Sequence, residues 1–196
     1  MTLNRPELTM PEAEATRLLA AYERAQVILE YGSGGSTVMA AGLADKTVFA
    51  VESDAAWAAM MDAWFAANPP ASGSRVLVHH CDIGPTKAWG HPKDRGGHLR
   101  YAAYPLGIWD LAGFRQPDVV LVDGRFRPGC ALATAFRTAR PVTLFIDDYA
   151  PRRQYHAVEA WLGPPRMTGR MAEFTVTPQP VPADRLIEIT TMMTRP

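Results

Sequence analysis

Five short runs of consecutive apolar residues recur along the chain, with polar or alanine-rich stretches between them. The runs cover residues 27–30, 47–52, 75–81, 118–123 and 142–147. A run without polar alternation is typical of a strand buried on both faces, so these runs predict a parallel sheet. Parallel strands need crossover connections, and the stretches between the runs are suited to helices. The pattern therefore predicts an α/β fold, doubly wound, with helices on both faces of a mostly parallel sheet.

The C-terminal part of the chain has a different pattern. Residues 173–177 and 186–190 alternate between apolar and polar side chains, and a proline-rich stretch joins them. Alternation of this kind is typical of half-buried strands. We therefore predict a C-terminal antiparallel hairpin that closes the sheet at one edge.

Residues 84–116 interrupt the regular alternation of strands and helices. Prolines and glycines exclude long regular elements there, and the aromatic residues are Trp89, Tyr101, Tyr104 and Trp109. A long irregular segment inside a compact domain is usually functional. We therefore expect a single domain over residues 1–196, with residues 84–116 as an insertion that caps a ligand site. The alternative is a surface flap packed by its own aromatic side chains.

The composition and charge of the chain bear on its expected cellular compartment and on the classes of partner that it can bind. The chain has 196 residues, of which 47% are apolar, and its formal net charge is zero. A neutral chain is not typical of a general nucleic-acid or membrane-surface binder. No apolar run is long enough to span a bilayer, and the N-terminal residues lack the apolar core of a signal sequence, so we expect a cytoplasmic protein. A homodimer is compatible with the sequence.

A glycine-rich turn follows the first predicted strand. Residues 30–37 read Glu-Tyr-Gly-Ser-Gly-Gly-Ser-Thr, and a helix is expected to begin at Ser36 or Thr37. Glycine is used where the backbone takes a positive φ or approaches a ligand closely. A strand, a glycine turn and a helix N-terminus in series form a cradle for a nucleotide or a nucleoside. Thr37 occupies the third glycine position of the dinucleotide pattern Gly-x-Gly-x-x-Gly, so a NAD site is the weaker alternative.

Carboxylates recur at the end of every predicted strand. They are Glu30, Glu52, Asp82, Asp123 and the pair Asp147 and Asp148. Ligands of open α/β sheets bind outside the carboxyl ends of the strands, although any one of these acids could also be a helix N-cap. Glu52 lies 22 residues after Glu30, close to the offset of about 20 residues at which an acid reaches ribose hydroxyls. The recurrence favours a ring of hydrogen-bond acceptors around one ligand.

Together, these residues resemble those of class I S-adenosylmethionine-dependent methyltransferases. Residues 30–36 are similar to the acid-x-Gly-x-Gly-x-Gly loop of that family, with Ser36 in place of the last glycine. Glu52, Asp82 and Asp123 match the acids at the ends of the next three strands, and the resemblance extends to Thr191. It implies a seven-stranded sheet of order 3-2-1-4-5-7-6. It also implies methyl transfer from S-adenosylmethionine to a small-molecule acceptor, with oxygen as the expected methylated atom.

The resemblance assigns parts of the cofactor to particular residues. Gly32, Gly34 and Ser36 are expected along the methionine moiety, and Glu30 near its amino group. Glu52 is expected at the ribose, and Asp82 with Ile83 at the adenine. The full set of expected cofactor-binding residues is Glu30, Tyr31, Gly32, Ser33, Gly34, Gly35, Ser36, Thr37, Glu52, Ser53, Asp82, Ile83 and Asp123. Because this cofactor has no phosphates, a ring of acceptors for its hydroxyl and amino groups suits it.

A narrower resemblance concerns a metal ion. Asp123-Gly124, together with the Phe-Ile-Asp-Asp-Tyr sequence of residues 145–149, is similar to metal-dependent sugar and catechol O-methyltransferases. That similarity implies Mg²⁺ held by Asp123, Asp147 and Asp148, with Asp123 and Asp147 in catalytic roles. Such an ion orients a substrate hydroxyl and lowers its pKa.

Nearby arginines allow two other interpretations of the same acids. The arginines are Arg125, Arg127, Arg152 and Arg153. They can neutralise the acids as ion pairs. If they face the cleft instead, they favour an anionic acceptor, since guanidinium groups bind carboxylates and phosphates through two parallel hydrogen bonds.

Three classes of function follow from the sequence. The first is a methyltransferase, for which His91 and His98 of the insertion are additional candidates for a general base. The second is a NAD-dependent oxidoreductase, and the third is a non-catalytic nucleotide-binding module on the same fold. Binding of S-adenosylhomocysteine compared with binding of NAD separates the two enzyme classes.

Overall fold

The computed structural model describes residues 4–196 as one layered α/β arrangement. Its first elements are α1 (Glu12–Arg24), β1 (Val27–Tyr31), α2 (Gly35–Ala41), β2 (Thr47–Glu52), α3 (Ala55–Ala67) and β3 (Arg75–His80). Next come β4 (Thr86–Lys87), β5 (His91–Pro92), α4 (Ala103–Leu106), β6 (Val119–Val122), α5 (Arg127–Arg137) and β7 (Val142–Ile146). The last are α6 (Glu159–Leu162), β8 (Arg166–Thr168), β9 (Met171–Val176) and α7 (Leu186–Thr194).

Seven of these strands form the main sheet, in the order β3-β2-β1-β6-β7-β9-β8. Because β4 and β5 pair separately as a small hairpin, this order corresponds to the predicted 3-2-1-4-5-7-6 when the main-sheet strands are counted alone. Five neighbouring strands of this sheet pair in parallel, namely β3, β2, β1, β6 and β7. Strand β9 runs antiparallel to both β7 and β8. The predicted fold class is confirmed.

The central strands are apolar because both faces of the sheet are covered. Every residue of β1, β2 and β6 is buried, whereas the edge strand β3 alternates between partly buried and exposed positions. Both cysteines, Cys81 and Cys130, are free and buried. Within residues 4–196, no helix has the length and apolar character needed to cross a bilayer.

The C-terminal hairpin differs from the predicted one. The predicted strand at 173–177 largely coincides with β9, but its partner is β8, and residues 186–190 belong to the helix α7. The prediction of a strand there was wrong because five alternating residues fit a helix equally well. Ile189, Met192 and Met193 follow at helical spacing and are buried against α5, so packing on α5 selects the helix.

The predicted insertion at 84–116 contains only short elements, and its aromatic residues divide into two groups. Tyr101 and Tyr104 are buried in the main core, where both rings contact Phe126 with centroid separations of 5.1 Å and 5.4 Å. Trp89 and Leu99 are exposed, at 81% and 87%. The segment is therefore anchored to the sheet through two tyrosines and presents other apolar side chains outward.

The glycine loop after β1 is tied to the helices beside it by a buried carboxylate. Glu30 is fully buried and accepts hydrogen bonds from the hydroxyls of Tyr22, at 2.7 Å, and Thr37. The Thr37 hydroxyl in turn accepts a hydrogen bond from the Gly34 amide at 3.0 Å. Burial raises the pKa of Glu30 to about 7, although these hydrogen bonds act in the opposite direction. Glu30 thus links α1, β1 and the start of α2.

The contact between α5 and α7 can be tested at Gly129. A Cβ at this position would lie 2.7 Å from Met193 Cα and 2.8 Å from the Met192 carbonyl oxygen, so Gly129→Ala forces the two helices apart. We expect a loss of about 1–3 kcal/mol in the free energy of unfolding, measured with urea. Gly107→Ala is the control, because no heavy atom lies within 4 Å of a Cβ there. Equal stability of the two variants would contradict this packing.

The buried carboxyl predicts a pH-dependent stability. The folded-state pKa of Glu30 is about 7, above the usual 4.5. The stability that its protonated carboxyl contributes to the fold is therefore fully present below the unfolded-state pKa and is lost as pH rises through about 7. We expect stability of the wild type relative to Glu30→Gln to fall by up to about 3 kcal/mol between about pH 5 and about pH 8. Urea unfolding across this range measures the difference. The exposed substitution Glu23→Gln should show no such trend, and a flat wild-type curve would refute the assignment.

Candidate functional site

A cavity of about 670 Å³ lies above the carboxyl ends of β1, β2 and β6. Three groups predicted from the sequence line it together. They are the glycine loop with Gly32, Ser33, Gly34, Gly35 and Ser36, the residues Glu52 and Ser53 at the end of β2, and Asp123 after β6. The structure therefore brings the loop and two of the strand-end acids to one place.

Close backbone contacts shape the floor of this cavity. Gly32 has a φ of +107°, and a Cβ on it would lie 2.9 Å from the Gly124 nitrogen. The Gly124 amide donates a hydrogen bond to the Tyr31 carbonyl at 2.6 Å. A Cβ on Gly124 would lie 2.2 Å from the Tyr104 hydroxyl. Both positions therefore require glycine, and a ligand can approach the backbone there.

The Glu52 carboxylate is held in the cavity wall by surrounding donors. One oxygen accepts hydrogen bonds from the amides of Ser53, at 2.7 Å, and Asp54, at 2.9 Å. The other oxygen accepts from the Ser33 hydroxyl at 2.9 Å. Asp54 caps α3 by accepting a hydrogen bond from the Trp57 amide at 3.0 Å. A fixed carboxylate beside the glycine loop is suited to accept hydrogen bonds from ligand hydroxyls.

Several expected cofactor residues lie outside the cavity wall. Glu30, Tyr31 and Thr37 are buried beneath the glycine loop, where Glu30 positions the loop rather than facing the cavity. Asp82 is exposed and forms an ion pair with Arg100. Ile83 is 1% exposed in the core. The adenine contact expected of Asp82 and Ile83 stays a prediction.

Two further stretches line the cavity wall, of which only the second was expected from the sequence. The first is the segment of residues 7–10, which crosses the glycine loop so closely that a Cβ on Gly35 would lie 2.3 Å from the Leu8 nitrogen. The second comes from the insertion, which the sequence predicts as a cap and which contributes Trp89, Gly90 and Tyr104. The second glycine of the Gly34-Gly35 pair is the one signal in the sequence that indicates such a crossing, because it leaves room for a covering chain.

The three acids predicted to hold a metal do lie together. Oxygen atoms of Asp123, Asp147 and Asp148, which we call the acid cluster, lie within 4.8 Å of one another. Asp147 is almost fully buried, and Asp148 has a left-handed backbone with φ of +52°. Asp123 faces the cavity with its side chain 39% exposed. Burial raises the pKa of Asp123 to about 6, with Arg127 lowering it and Asp147 raising it.

Three arginines engage the acid cluster. Both oxygens of Asp147 accept hydrogen bonds from Arg170, at 3.1 Å and 2.7 Å. Arg127 lies 3.2 Å from Asp123 and 3.7 Å from Asp148, and Arg152 lies 3.3 Å from Asp148. Three carboxylates therefore face three guanidinium groups, and their formal charges sum to zero. The donor set suits a hard cation by type, but its oxygens are already neutralised, so the site does not fit Mg²⁺ well.

The four arginines noted in the sequence have different surroundings. Arg127 and Arg152 pair with the acid cluster, and Arg153 is exposed. Arg125 is buried and lines the cavity next to Asp123, where its guanidinium contacts His91. Burial and the charge of Arg125 lower the pKa of His91, so this imidazole is neutral near pH 7. His98 contacts the Arg95 carbonyl in the insertion at 2.9 Å and does not line the cavity.

Comparisons with known proteins identify close and distant structural relatives. No protein-family model matches the chain, and no curated protein matches it. A methyltransferase-like protein from Silicibacter pomeroyi DSS-3 is 61% identical and has a TM-score of 0.96, covering 98% of this chain and 99% of its own.

Two more distant structures share the fold. Cofactor-bound Rv0187 from MTB is 16% identical with a TM-score of 0.60, covering 90% of this chain and 85% of its own. The O-methyltransferase TomG from Streptomyces achromogenes, in complex with SAM and involved in tomaymycin synthesis, is 17% identical with a TM-score of 0.53. It covers 88% of this chain and 82% of its own. With its sheet order, its glycine loop and a relative 61% identical over nearly its full length, the chain belongs to the class I, Rossmann-like methyltransferases.

Proposed function

We propose that this protein transfers a methyl group from S-adenosylmethionine to an oxygen atom of a small-molecule acceptor. The observation that carries the proposal is that the glycine loop, Glu52 and Asp123 line one cavity. Its volume of about 670 Å³ lies within the range of about 300–1,000 Å³ that is usual for small-molecule sites. A methyltransferase with this fold, TomG, is an O-methyltransferase in complex with SAM.

The cofactor end of the cavity is assigned to the β1 and β2 side. Glu52 accepts hydrogen bonds from the ribose hydroxyls, because its carboxylate is already oriented by the amides of Ser53 and Asp54. The glycine loop would hold the methionine moiety, where the missing side chain of Gly34 leaves open space beside the backbone. Residues 7–10 cover this end from above. Bound S-adenosylmethionine supplies an activated methyl group, and the protein supplies position and orientation.

Asp123 is assigned as the group that accepts the proton of the acceptor hydroxyl. It faces the cavity at the end of β6, and its pKa of about 6 leaves it ionised near pH 7. A base whose pKa lies near the working pH is effective in proton transfer. Arg127 lies 3.2 Å from Asp123, and its positive charge keeps the pKa of Asp123 from rising further. Asp147 is assigned a positioning role, because Arg170 occupies both of its oxygens.

We propose that the reaction proceeds without a bound metal ion. Binding of Mg²⁺ at the acid cluster would displace Arg170 from Asp147 and leave guanidinium groups without their counterions. Neutralisation by arginine is thus the interpretation of these acids that the contacts favour over a magnesium site.

The acceptor is proposed to be a small molecule rather than a nucleic acid. The formal net charge of the chain is zero, whereas nucleic-acid binding draws its affinity from positive charge. The insertion contributes Trp89, Gly90 and Tyr104 to the cavity wall. We propose that residues 84–116 cover the acceptor within the single domain and help to exclude water from it.

Cofactor binding distinguishes the proposed function from its rivals. In isothermal titration calorimetry, S-adenosylhomocysteine should bind the purified protein and NAD should not. Glu52→Gln should weaken this binding by about 10- to 100-fold, as expected for losing hydrogen bonds to a charged acceptor. The exposed Glu23→Gln variant should bind as the wild type does. Binding of NAD without S-adenosylhomocysteine would refute the proposal in favour of an oxidoreductase.

Methyl transfer itself is tested with a radiolabelled methyl group. S-adenosylmethionine carrying a tritiated methyl group is incubated with pooled hydroxylated small molecules or with total RNA. We expect label in the small molecules, with a rate that rises with pH around a midpoint of about 6 as Asp123 ionises and that is unchanged by a metal chelator.

The Asp123→Asn variant completes that experiment. It should lower the rate by at least about 100-fold, the usual scale of general-base catalysis, while S-adenosylhomocysteine still binds. Label in RNA alone would overturn the small-molecule acceptor. A rate abolished by the chelator would overturn the metal-independent reaction. Cofactor binding without label in either pool would favour the non-catalytic module.

A further inference from the structure

Arg125 carries a buried positive charge that no carboxylate of the described chain neutralises. The residue is 8% exposed, and among residues 4–196 it forms no ion pair with an acid. Its Nε atom is buried and has no hydrogen-bond partner among the residues that the structure describes. A buried charge is normally paired, and a buried donor is normally bonded, because leaving either unmatched costs free energy. Residues 4–196 therefore supply neither a counterion for the charge of Arg125 nor a hydrogen-bond acceptor for its Nε atom.

The groups around the Arg125 guanidinium add no negative charge to balance it. Its Nη1 atom contacts His91, which accepts that hydrogen bond as a neutral ring and contributes no negative charge. The neighbouring charges of Arg127 and Arg152 are also positive, and together with burial they lower the pKa of Arg125. These two arginines have the acid cluster as counterions, whereas Arg125 does not.

Arg125 lines the cavity, so a ligand can reach it. It follows Asp123 and Gly124 in the cavity wall, and Tyr104 beside it contacts its amide. On the premise of the proposed function, we infer that Arg125 binds an anionic group, a carboxylate or a phosphate, on the methyl acceptor. The planar guanidinium offers two parallel hydrogen bonds to either anion, and Nε is one of the donors in that geometry.

The position of Arg125 favours the acceptor over the carboxylate of the cofactor itself. The groups around its guanidinium are His91 of the insertion, Arg127 after β6, and Arg152 and Tyr155 after β7. Arg152 and Tyr155 follow β7, which lies on the opposite side of β6 from β1 and β2 in the strand order, whereas His91 follows Gly90, whose carbonyl accepts a hydrogen bond from Ser53 at 3.0 Å. The acceptor would thus be anchored by its anionic group at Arg125 while its hydroxyl faces Asp123.

The inference can be tested with simple anions and an atom-specific signal. The protein loaded with S-adenosylhomocysteine is titrated with acetate and, separately, with inorganic phosphate at low ionic strength. The Nε–H resonance of Arg125 in a ¹H–¹⁵N correlation spectrum should shift and saturate for at least one anion. A preference for one of them tells whether the acceptor carries a carboxylate or a phosphate. No saturable shift with either anion would overturn the inference.

Two matched substitutions separate a site from general anion effects. In calorimetry, Arg125→Gln should abolish anion binding, whereas Arg153→Gln, which removes the same charge at an exposed position, should retain it. Equal binding to both variants would indicate adventitious surface binding and overturn the inference. Arg125→Gln should also leave the melting temperature unchanged or raised, because it removes an unpaired buried charge. A lowered melting temperature would instead indicate a structural role.

The affinity for S-adenosylhomocysteine completes the test. It should agree within about twofold between Arg125→Gln and the wild type. A loss of tenfold or more would show that Arg125 holds the cofactor's carboxylate and would overturn the acceptor assignment, with cofactor binding itself intact. Failure of the wild type to bind S-adenosylhomocysteine at all would count against the proposed function instead, and anion binding by the unloaded protein would still be measurable.

Discussion

The cavity depends on one backbone contact, between the glycine loop after β1 and the turn after β6. These strands are parallel neighbours at the centre of the sheet, and the chain turns away from them at the point where the strand order reverses. The Gly124 amide reaches the Tyr31 carbonyl at 2.6 Å, and neither Gly32 nor Gly124 has room for a Cβ. Any side chain at these positions would separate the two loops, and with them the glycine loop from Asp123.

The parts of the fold that were predictable are those that short stretches of sequence specify. Each inner strand is a continuous apolar run, and a carboxylate placed at the end of such a run falls at the carboxyl edge of the sheet. For this reason Glu52 and Asp123 were found correctly as neighbours of the glycine loop. Glu30 follows the same pattern, but its side chain points away from the cavity, toward Tyr22 and Thr37. The position of an acid at the end of a strand predicts the edge of the sheet at which it lies. It does not predict which groups its side chain contacts.

The parts that were missed depend on contacts between distant stretches. The segment of residues 7–10 reaches the cavity through contacts with residues distant in the sequence, and only the Gly34-Gly35 pair indicates locally that a chain crosses there. The C-terminal helix α7 was missed for a related reason. Its first residues alternate as a strand would, and only burial of Ile189, Met192 and Met193 against α5 makes the helix the more favourable state. Tertiary packing overrides a short periodic signal of this kind.

The electrostatics of the carboxyl edge follow from how its arginines are partnered. Near the acid cluster, Arg127, Arg152 and Arg170 balance three carboxylates, so that region needs no further cation. Arg125, two residues after Asp123, lines the cavity and has no carboxylate partner within residues 4–196. The sequence shows acids and arginines interleaved but not which pairs form, and both a metal site and an anion site were consistent with it. In the folded structure the acid cluster already has its positively charged partners. Within residues 4–196 it is Arg125, in the cavity, that lacks a negatively charged one. The missing charge is therefore one that a substrate can carry.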